Sequence, residues 1–183
     1  MKSKRVLLRV APFAVFVAIL IFLAVGLTKD PRSLPSNMID RPLPKFALTE
    51  LKSKSRQISN KDLSGRITLL NVFGSWCQAC LIEHPTLLRM NEMESFDLVG
   101  INWRDTRPNA TRWLLRFGDP YDYILFDSKS DLAIELGVTG APETFIVDKV
   151  GRIRYKHTGP ISDEVFETKI QPVIASLIAE IDR

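Results

Sequence analysis

Ile67-Thr68-Leu69-Leu70-Asn71-Val72-Phe73-Gly74-Ser75-Trp76-Cys77-Gln78-Ala79-Cys80 is the stretch on which the fold turns. Ile67 to Phe73 reads as a strongly buried strand, and Gly74 ends it. Two cysteines follow, and from Gln78 to Met93 the apolar positions Leu81, Leu87, Leu88 and Met90 predict a helix. Pro85 lies within it and should kink it or end its first segment. A dithiol between a strand end and a helix start has specific chemistry. Unpaired backbone N–H groups and the helix dipole favour an anion at Cys77. They should hold its thiol below the free value of ~8.5. Cys80 lies one turn inward, within disulfide reach. Cys77 therefore suits attack on a disulfide, and Cys80 suits resolution of the mixed disulfide that forms. A purely structural bridge is the plain alternative, but so short a loop stabilises little. Covalent haem attachment needs a histidine after the second cysteine, where Leu81 stands. A zinc site needs four ligands, or three with an open position. Cys77, Cys80, His84 and distant His157 make a poor set, because three of them crowd one short helix start.

Outward from this stretch, strands and helices alternate. Phe46, Leu48 and Leu51 alternate with polar residues and suggest an edge strand or hairpin. Phe96 to Trp103 predicts a second core strand. A helix starts near Asp105 with Pro108 in its first turn. Ala110, Trp113, Leu114 and Phe117 form its apolar stripe, and Gly118 stops it. Tyr123 to Phe126 predicts a strand, and Asp131 to Leu136 a short helix ended by Gly137. Thr144 to Val147 and Arg152 to Tyr155 read as a hairpin around Asp148-Lys149-Val150-Gly151. Ser162 can cap a last helix to about Asp182, interrupted by Pro172. This order implies a mixed sheet sandwiched by helices.

The chain has 183 residues, with 25 Lys and Arg against 21 Asp and Glu. Lys2, Lys4, Arg5 and Arg9 account for the whole excess of +4. The body is neutral, which argues against nucleic acid as a partner, since that would need a basic patch on the folded domain. Val10 to Leu27 carries no charge and is long enough to span a bilayer as a helix. The positive-inside rule then puts residues 1–9 in the cytoplasm and the body outside. The rival is a cleaved signal peptide, with Ala24-Val25-Gly26 as a passable site, although the run is long for one. Residues 28–44, with Pro31, Pro35, Pro42 and Pro44, read as an extended tether, and residues 45–183 as the domain.

Strand, Trp-Cys-x-x-Cys and helix, with Pro85 eight residues after the first cysteine, resemble a thioredoxin fold. Gly137-Val138-Thr139-Gly140-Ala141-Pro142-Glu143-Thr144-Phe145 is similar to the signature of one branch. That branch is the membrane-anchored thiol:disulfide interchange proteins of cytochrome c maturation, the CcmG/DsbE type. The resemblance implies a thioredoxin-like three-layer α/β/α sandwich with a mixed central sheet, preceded by one N-terminal transmembrane helix. It implies a cis proline at Pro142, beside which an extended client pairs with the backbone. It places Glu83 and Glu143 among the acidic residues around the active site. Glu83 lies three residues after Cys80, on the same helix face. A carboxylate there can relay the proton of Cys80. Thioredoxins usually bury an aspartate six residues before the first cysteine; here Asn71 stands there and cannot titrate, which favours Glu83 as the acid. Trp76 should shield the sulfur and shape the surface.

The implied catalytic set is Cys77, Cys80 and Glu83, and the implied substrate-binding set is Trp76, Pro142 and Glu143. No cofactor or metal is expected beyond the redox-active Cys77–Cys80 disulfide. The residues point to dithiol exchange. The resemblance alone supplies the direction, reduction, and the partners. These are apocytochrome c or a maturation protein as client and a membrane dithiol as electron donor, at a bacterial inner membrane with the domain periplasmic. A general exported thiol reductase or oxidase remains open, as does a non-catalytic assembly protein that uses the same groove.

Overall fold

The computed structural model describes residues 12–13, 15–24 and 38–180. The chain divides into two units, Met1–Pro35 and Ser36–Arg183. Of the expected anchor, residues 12–13 and 15–24 are described and are helical. Among the described residues, no helix is long and apolar enough to cross a membrane. The basic segment 1–9 and tether residues 28–37 lie outside the described residues.

The second unit is built on a five-stranded sheet in the order β5-β4-β3-β6-β7. Its strands are β3 (Thr68–Phe73), β4 (Asp97–Trp103), β5 (Tyr123–Asp127), β6 (Glu143–Val147) and β7 (Ile153–Thr158). β3, β4 and β5 run parallel, whereas β6 and β7 pair antiparallel, so the sheet is mixed as expected. Two crossover helices are α1 (Gln78–Asn91) and α2 (Arg107–Phe117). Both crossovers step in one direction across the sheet, so right-handed connections put both helices on one face. Leu87 and Met90 of α1 share a core there with Trp113 and Leu114 of α2. The last helix, α4, runs through Asp163–Val165, a π-helical stretch Phe166–Ile170 and Gln171–Ala179. It joins the same core through Ile170, Ile174 and Leu177.

The opposite face is covered more thinly. It holds α3 (Asp131–Glu135), the hairpin of β1 (Ala47–Thr49) and β2 (Gln57–Ser59), and a 3-10 turn at Asn60–Leu63. The three layers are therefore unequal, with three helices on one side and one short helix on the other. The edge strand expected near Phe46–Leu51 is β1, and its partner β2 carries no strong strand signal. Arg107 ties this hairpin to α2. Its guanidinium donates to the Glu50 and Leu51 carbonyls and to Thr49 Oγ1, each at 2.5 Å.

Two expectations need correction, and a third holds. Residues 38–44 are not a free tether: the Asp40 and Leu43 amides donate to the Ile153 and Gly151 carbonyls, and Leu43 is buried in the second core. The apolar Leu43 finds a pocket, and the strap extends the β7 edge. The helix after Cys77 neither ends nor divides at Pro85 but runs unbroken to Asn91. The proline removes one N–H from the ladder, and the core on both sides of it holds the helix. The interruption expected at Pro172 is present as the π-helical stretch Phe166–Ile170, after which a fresh α-helical segment starts at Gln171 with Pro172 in its first turn. The Gln171 amide reaches back to the Phe166 carbonyl, and this wider turn absorbs the proline's missing donor.

Side chains on β3 alternate between the two faces. Leu69 and Phe73 enter the α1 side and Leu70 and Val72 the other, so Asn71 faces α1. Gly100 of β4 makes room on that side. A Cβ there would lie 2.8 Å from the Phe73 ring and 3.1 Å from the Tyr121 ring. Gly100→Ala should therefore destabilise the domain by about 1–3 kcal/mol through overpacking. A lowered urea midpoint at unchanged slope is the expected result.

Candidate active site

Cys77 is the N-cap of α1, in extended backbone conformation, and its Sγ accepts the amide N–H of Cys80 at 3.1 Å. The two sulfurs are bonded at 2.06 Å across a Cα separation of 5.3 Å. Cys77 is 5% exposed and Cys80 only 1%, so an incoming group meets Cys77 first. The helix start thus supplies the N–H and dipole that stabilise sulfur as an anion.

The turn that delivers Cys77 is held by Asp105. Its carboxylate accepts from Ser75 N (2.7 Å), Ser75 Oγ (2.9 Å), Asn102 Nδ2 (3.1 Å) and Thr106 N (2.7 Å). One carboxylate therefore fixes both the Cys77 loop and the start of α2. Trp76 stands half-exposed next to Cys77. Its indole N–H donates to the Trp103 carbonyl at 3.1 Å, and its ring meets Trp103 edge-on. Gly74 allows this pose, because a Cβ there would stand 2.5 Å from the indole nitrogen. With exposed Leu81 and Ile82 on α1, Trp76 gives the dithiol an apolar rim.

Glu83 is fully buried one turn beyond Cys80. Asn71 Nδ2 donates to its Oε1 at 2.9 Å, and the Ile161 amide donates to Oε2 at 3.0 Å. Burial raises its pKa from the usual 4.5 to about 7, against the pull of those two donors. Asn71 occupies the place expected for a non-titrating residue and now has a function of its own as a partner of Glu83. His84 turns away, its Nε2 beside the Gly118 carbonyl at 3.1 Å and its ring edge-on to Trp113. Among the described residues, no group of three His, Cys, Asp or Glu is gathered to hold a metal.

The Ala141–Pro142 bond is cis. Ala141 packs against the core that contains both cysteines, and the Pro142 carbonyl accepts the Gly159 amide at 2.9 Å. Glu143 departs from expectation. It is fully buried, and its carboxylate is occupied within the protein. Oε1 accepts from Thr139 Oγ1 (2.6 Å) and Thr139 N (3.1 Å), and Oε2 pairs with Lys156 Nζ at 2.9 Å. Lys156 also donates to the Gly137 carbonyl at 3.0 Å. Glu143 thus clamps the Gly137–Pro142 loop, and its burial leaves no oxygen exposed to a client. The pairing partners explain this, since a buried carboxylate is tolerated where a cation and N–H donors meet it. Asp105, Lys156 and Tyr121 carry no sequence signal of their own. Thr139 and Thr144 stand within the Gly137–Phe145 signature, which marks them as members of the site and does not reveal their contacts.

The Redoxin family model matches residues 39–171. The thiol:disulfide interchange protein DsbE of Allochromatium vinosum is 43% identical over 173 residues, covering 94% of each chain. The protein of the same name from Escherichia coli K12 is 38% identical over 94% of this chain and 95% of its own. Among solved structures, the thioredoxin domain of a thiol-disulfide oxidoreductase from Bacteroides vulgatus superposes with a TM-score of 0.63 at 20% identity. That match covers 77% of this chain and 99% of the other. The likeness carries the fold, and the closer relatives carry the activity. With its Cys77–Cys80 pair at the helix start of a thioredoxin-like fold, the chain belongs to the Redoxin family and, within it, to the DsbE-type thiol:disulfide interchange proteins, enzymes of dithiol–disulfide exchange.

Proposed function

We propose that this oxidoreductase works as a reductant on the periplasmic side of a bacterial inner membrane, held there by residues 10–27. On this reading it keeps the haem-binding cysteines of apocytochrome c, or a maturation partner, in the thiol state. The observation that carries the mechanism is Cys77 at the N-cap of α1, the more accessible sulfur, with an N–H donor on it. The uncharged run behind four cations supports the anchor.

In the proposed cycle, the reduced Cys77 thiolate attacks a client disulfide. A Cys77–client mixed disulfide forms, and one client thiolate leaves. Cys80 then gives its proton to the Glu83 carboxylate, and its thiolate attacks the Cys77 sulfur. The second client thiolate leaves, and the protein is left with its own disulfide. Two electrons have passed to the client, and a membrane dithiol restores them. With its pKa near 7, Glu83 is an acceptor matched to neutral pH. Trp76, with Leu81 and Ile82, supplies apolar contact, and the backbone beside Pro142 pairs with the extended client. Glu143 contributes to client binding only through the loop it clamps.

Trapping tests the division of labour. Cys80→Ser should accumulate a mixed disulfide with a disulfide-bonded peptide carrying the sequence C-x-x-C-H, visible on a non-reducing gel. Cys77→Ser should accumulate none, and the reverse pattern would reject the assignment. In cells, deletion should remove c-type cytochromes as scored by haem staining, and added small thiol should restore them. Cytochromes that persist after deletion would instead favour a general exported reductase.

Glu83 also makes stability depend on pH. Its folded pKa lies above the unfolded value, so its contribution is complete below pH 4.5 and is lost as pH rises through about 7. The shift corresponds to about 3 kcal/mol. Denaturation of the oxidised protein should therefore show wild type losing ground to Glu83→Gln between pH 5 and pH 8. A constant difference across that window would contradict a raised pKa.

A further inference from the structure

Tyr121 and Asn71 have no step in the proposed cycle, yet they are buried and joined beneath it. Tyr121 Oη donates to Asn71 Oδ1 at 2.6 Å. The same amide uses Nδ2 twice, towards Glu83 Oε1 at 2.9 Å and Thr144 Oγ1 at 3.0 Å. An asparagine amide has a donor end and an acceptor end, and a half-turn exchanges them with almost no change of shape. Its partners therefore decide which end meets Glu83. The Thr144 hydroxyl accepts or donates, so it suits either pose. A turned amide would leave the Tyr121 hydroxyl facing an N–H donor in a buried site, with its own proton stripped of its acceptor.

We infer that Tyr121 is a positioning residue whose hydroxyl locks the Asn71 amide with its donor end on Glu83, and thereby sets how readily the Glu83 carboxyl ionises. This deepens the reading of Glu83 as the proton acceptor of Cys80 and rests on it. With Nδ2 towards Glu83, the ionised carboxylate is favoured. With Oδ1 towards it, a carboxylate is repelled, and a protonated carboxyl has an acceptor to donate to. Releasing the lock moves Glu83 towards its neutral form.

The surroundings of Glu83 leave this amide as the adjustable partner. From β3 it meets Asn71, with Thr144 of β6 on the same amide. From the segment before α4 it meets the Ile161 amide, whose orientation the backbone fixes. From the segment before β5 it faces Tyr121, which also senses Asp119. On its own helix it has the Cys77–Cys80 pair, while His84 is turned to the Gly118 carbonyl. The fold places the phenol by stacking its ring on Phe73, centroids 4.8 Å apart, in the space that Gly100 leaves.

Tyr121→Phe keeps the ring and its stack and removes only the hydroxyl. The Glu83 carboxyl can be titrated by its side-chain 13C shift in the full-length oxidised protein in detergent micelles, where neither cysteine titrates. The midpoint should rise in Tyr121→Phe by about one pH unit, as for a hydrogen bond to a charged group. Compared with Asn71→Ala alone, the double variant should show no further rise, because the route has been removed. An unmoved midpoint in Tyr121→Phe overturns the inference. A rise that persists in the Asn71→Ala background overturns it too, because Tyr121 would then act on Glu83 without the amide. Should Tyr121→Phe fail to fold, 3-fluorotyrosine at position 121 keeps the shape and donates more strongly. It should lower the midpoint, and a rise or no change overturns the lock. The pH profile of mixed-disulfide resolution separates the two readings. If the midpoint moves as expected and the profile does not follow, the lock stands and Glu83 falls as the acceptor.

Discussion

Glu83 lies on the inner face of α1 with its carboxyl out of water, met by the Asn71 amide and the Ile161 backbone N–H. Among the described residues it forms no ion pair. Such a group is costly to bury unless its surroundings are arranged for it. The arrangement here draws on most of the domain. β3 supplies Asn71, β6 supplies Thr144, the segment before β5 supplies Tyr121, and the segment before α4 supplies the Ile161 amide. Four separate pieces of chain must reach their places before this carboxyl is satisfied. The same condition fixes the first turns of α1, and with them Cys77 and Cys80.

Glu143 is the instructive contrast. It is as deeply buried as Glu83 and stands in the signature segment, and both carboxylates read alike in the sequence. Lys156 and Thr139 meet Glu143, so a cation compensates its charge and its oxygens serve to close a loop. Glu83 has hydrogen-bond donors alone, so desolvation wins and its proton is held to about pH 7. The difference between the two environments comes from one lysine that is 13 residues from Glu143 in sequence and paired with it in space.

That contrast marks the reach of sequence reading for this chain. The strands β3 and β4 are legible because long apolar runs bounded by Gly74 or by polar residues have few other uses. α2 is legible because its stripe, Pro108 in its first turn and Gly118 agree. The dithiol is legible because its chemistry depends on local spacing. Glu83 is legible as a candidate because helical spacing from Cys80 is local as well. The roles of Asp105, Tyr121 and Lys156 are not legible, since each depends on a partner brought close only by the folded sheet. Of the two outcomes expected at Pro85, an end to the helix is the one that gives way, because the packing of the whole helix carries it to Asn91. The strap at 38–44 misleads because the four prolines of residues 28–44 suggest an extended tether, while Leu43 and two backbone amides find partners on β7 and the loop before it.

The burial of Cys80 gives the proton acceptor its meaning. At 1% exposure, this thiol has little contact with water to take its proton when resolution is due. In the proposed cycle, a local base must accept it at the moment the mixed disulfide is attacked. A carboxylate of ordinary pKa would be too weak a base to hold the proton, and a cation-paired one weaker still. Burial makes the base strong enough, and the two N–H donors stop burial from keeping it protonated throughout the neutral range. The Asn71 amide is thus one side of a balance whose other side is desolvation. An aspartate in its place would have put a second negative charge against Glu83. In the proposed cycle, the asparagine that removes one proton relay is the residue that lets a glutamate on the facing helix take up that work.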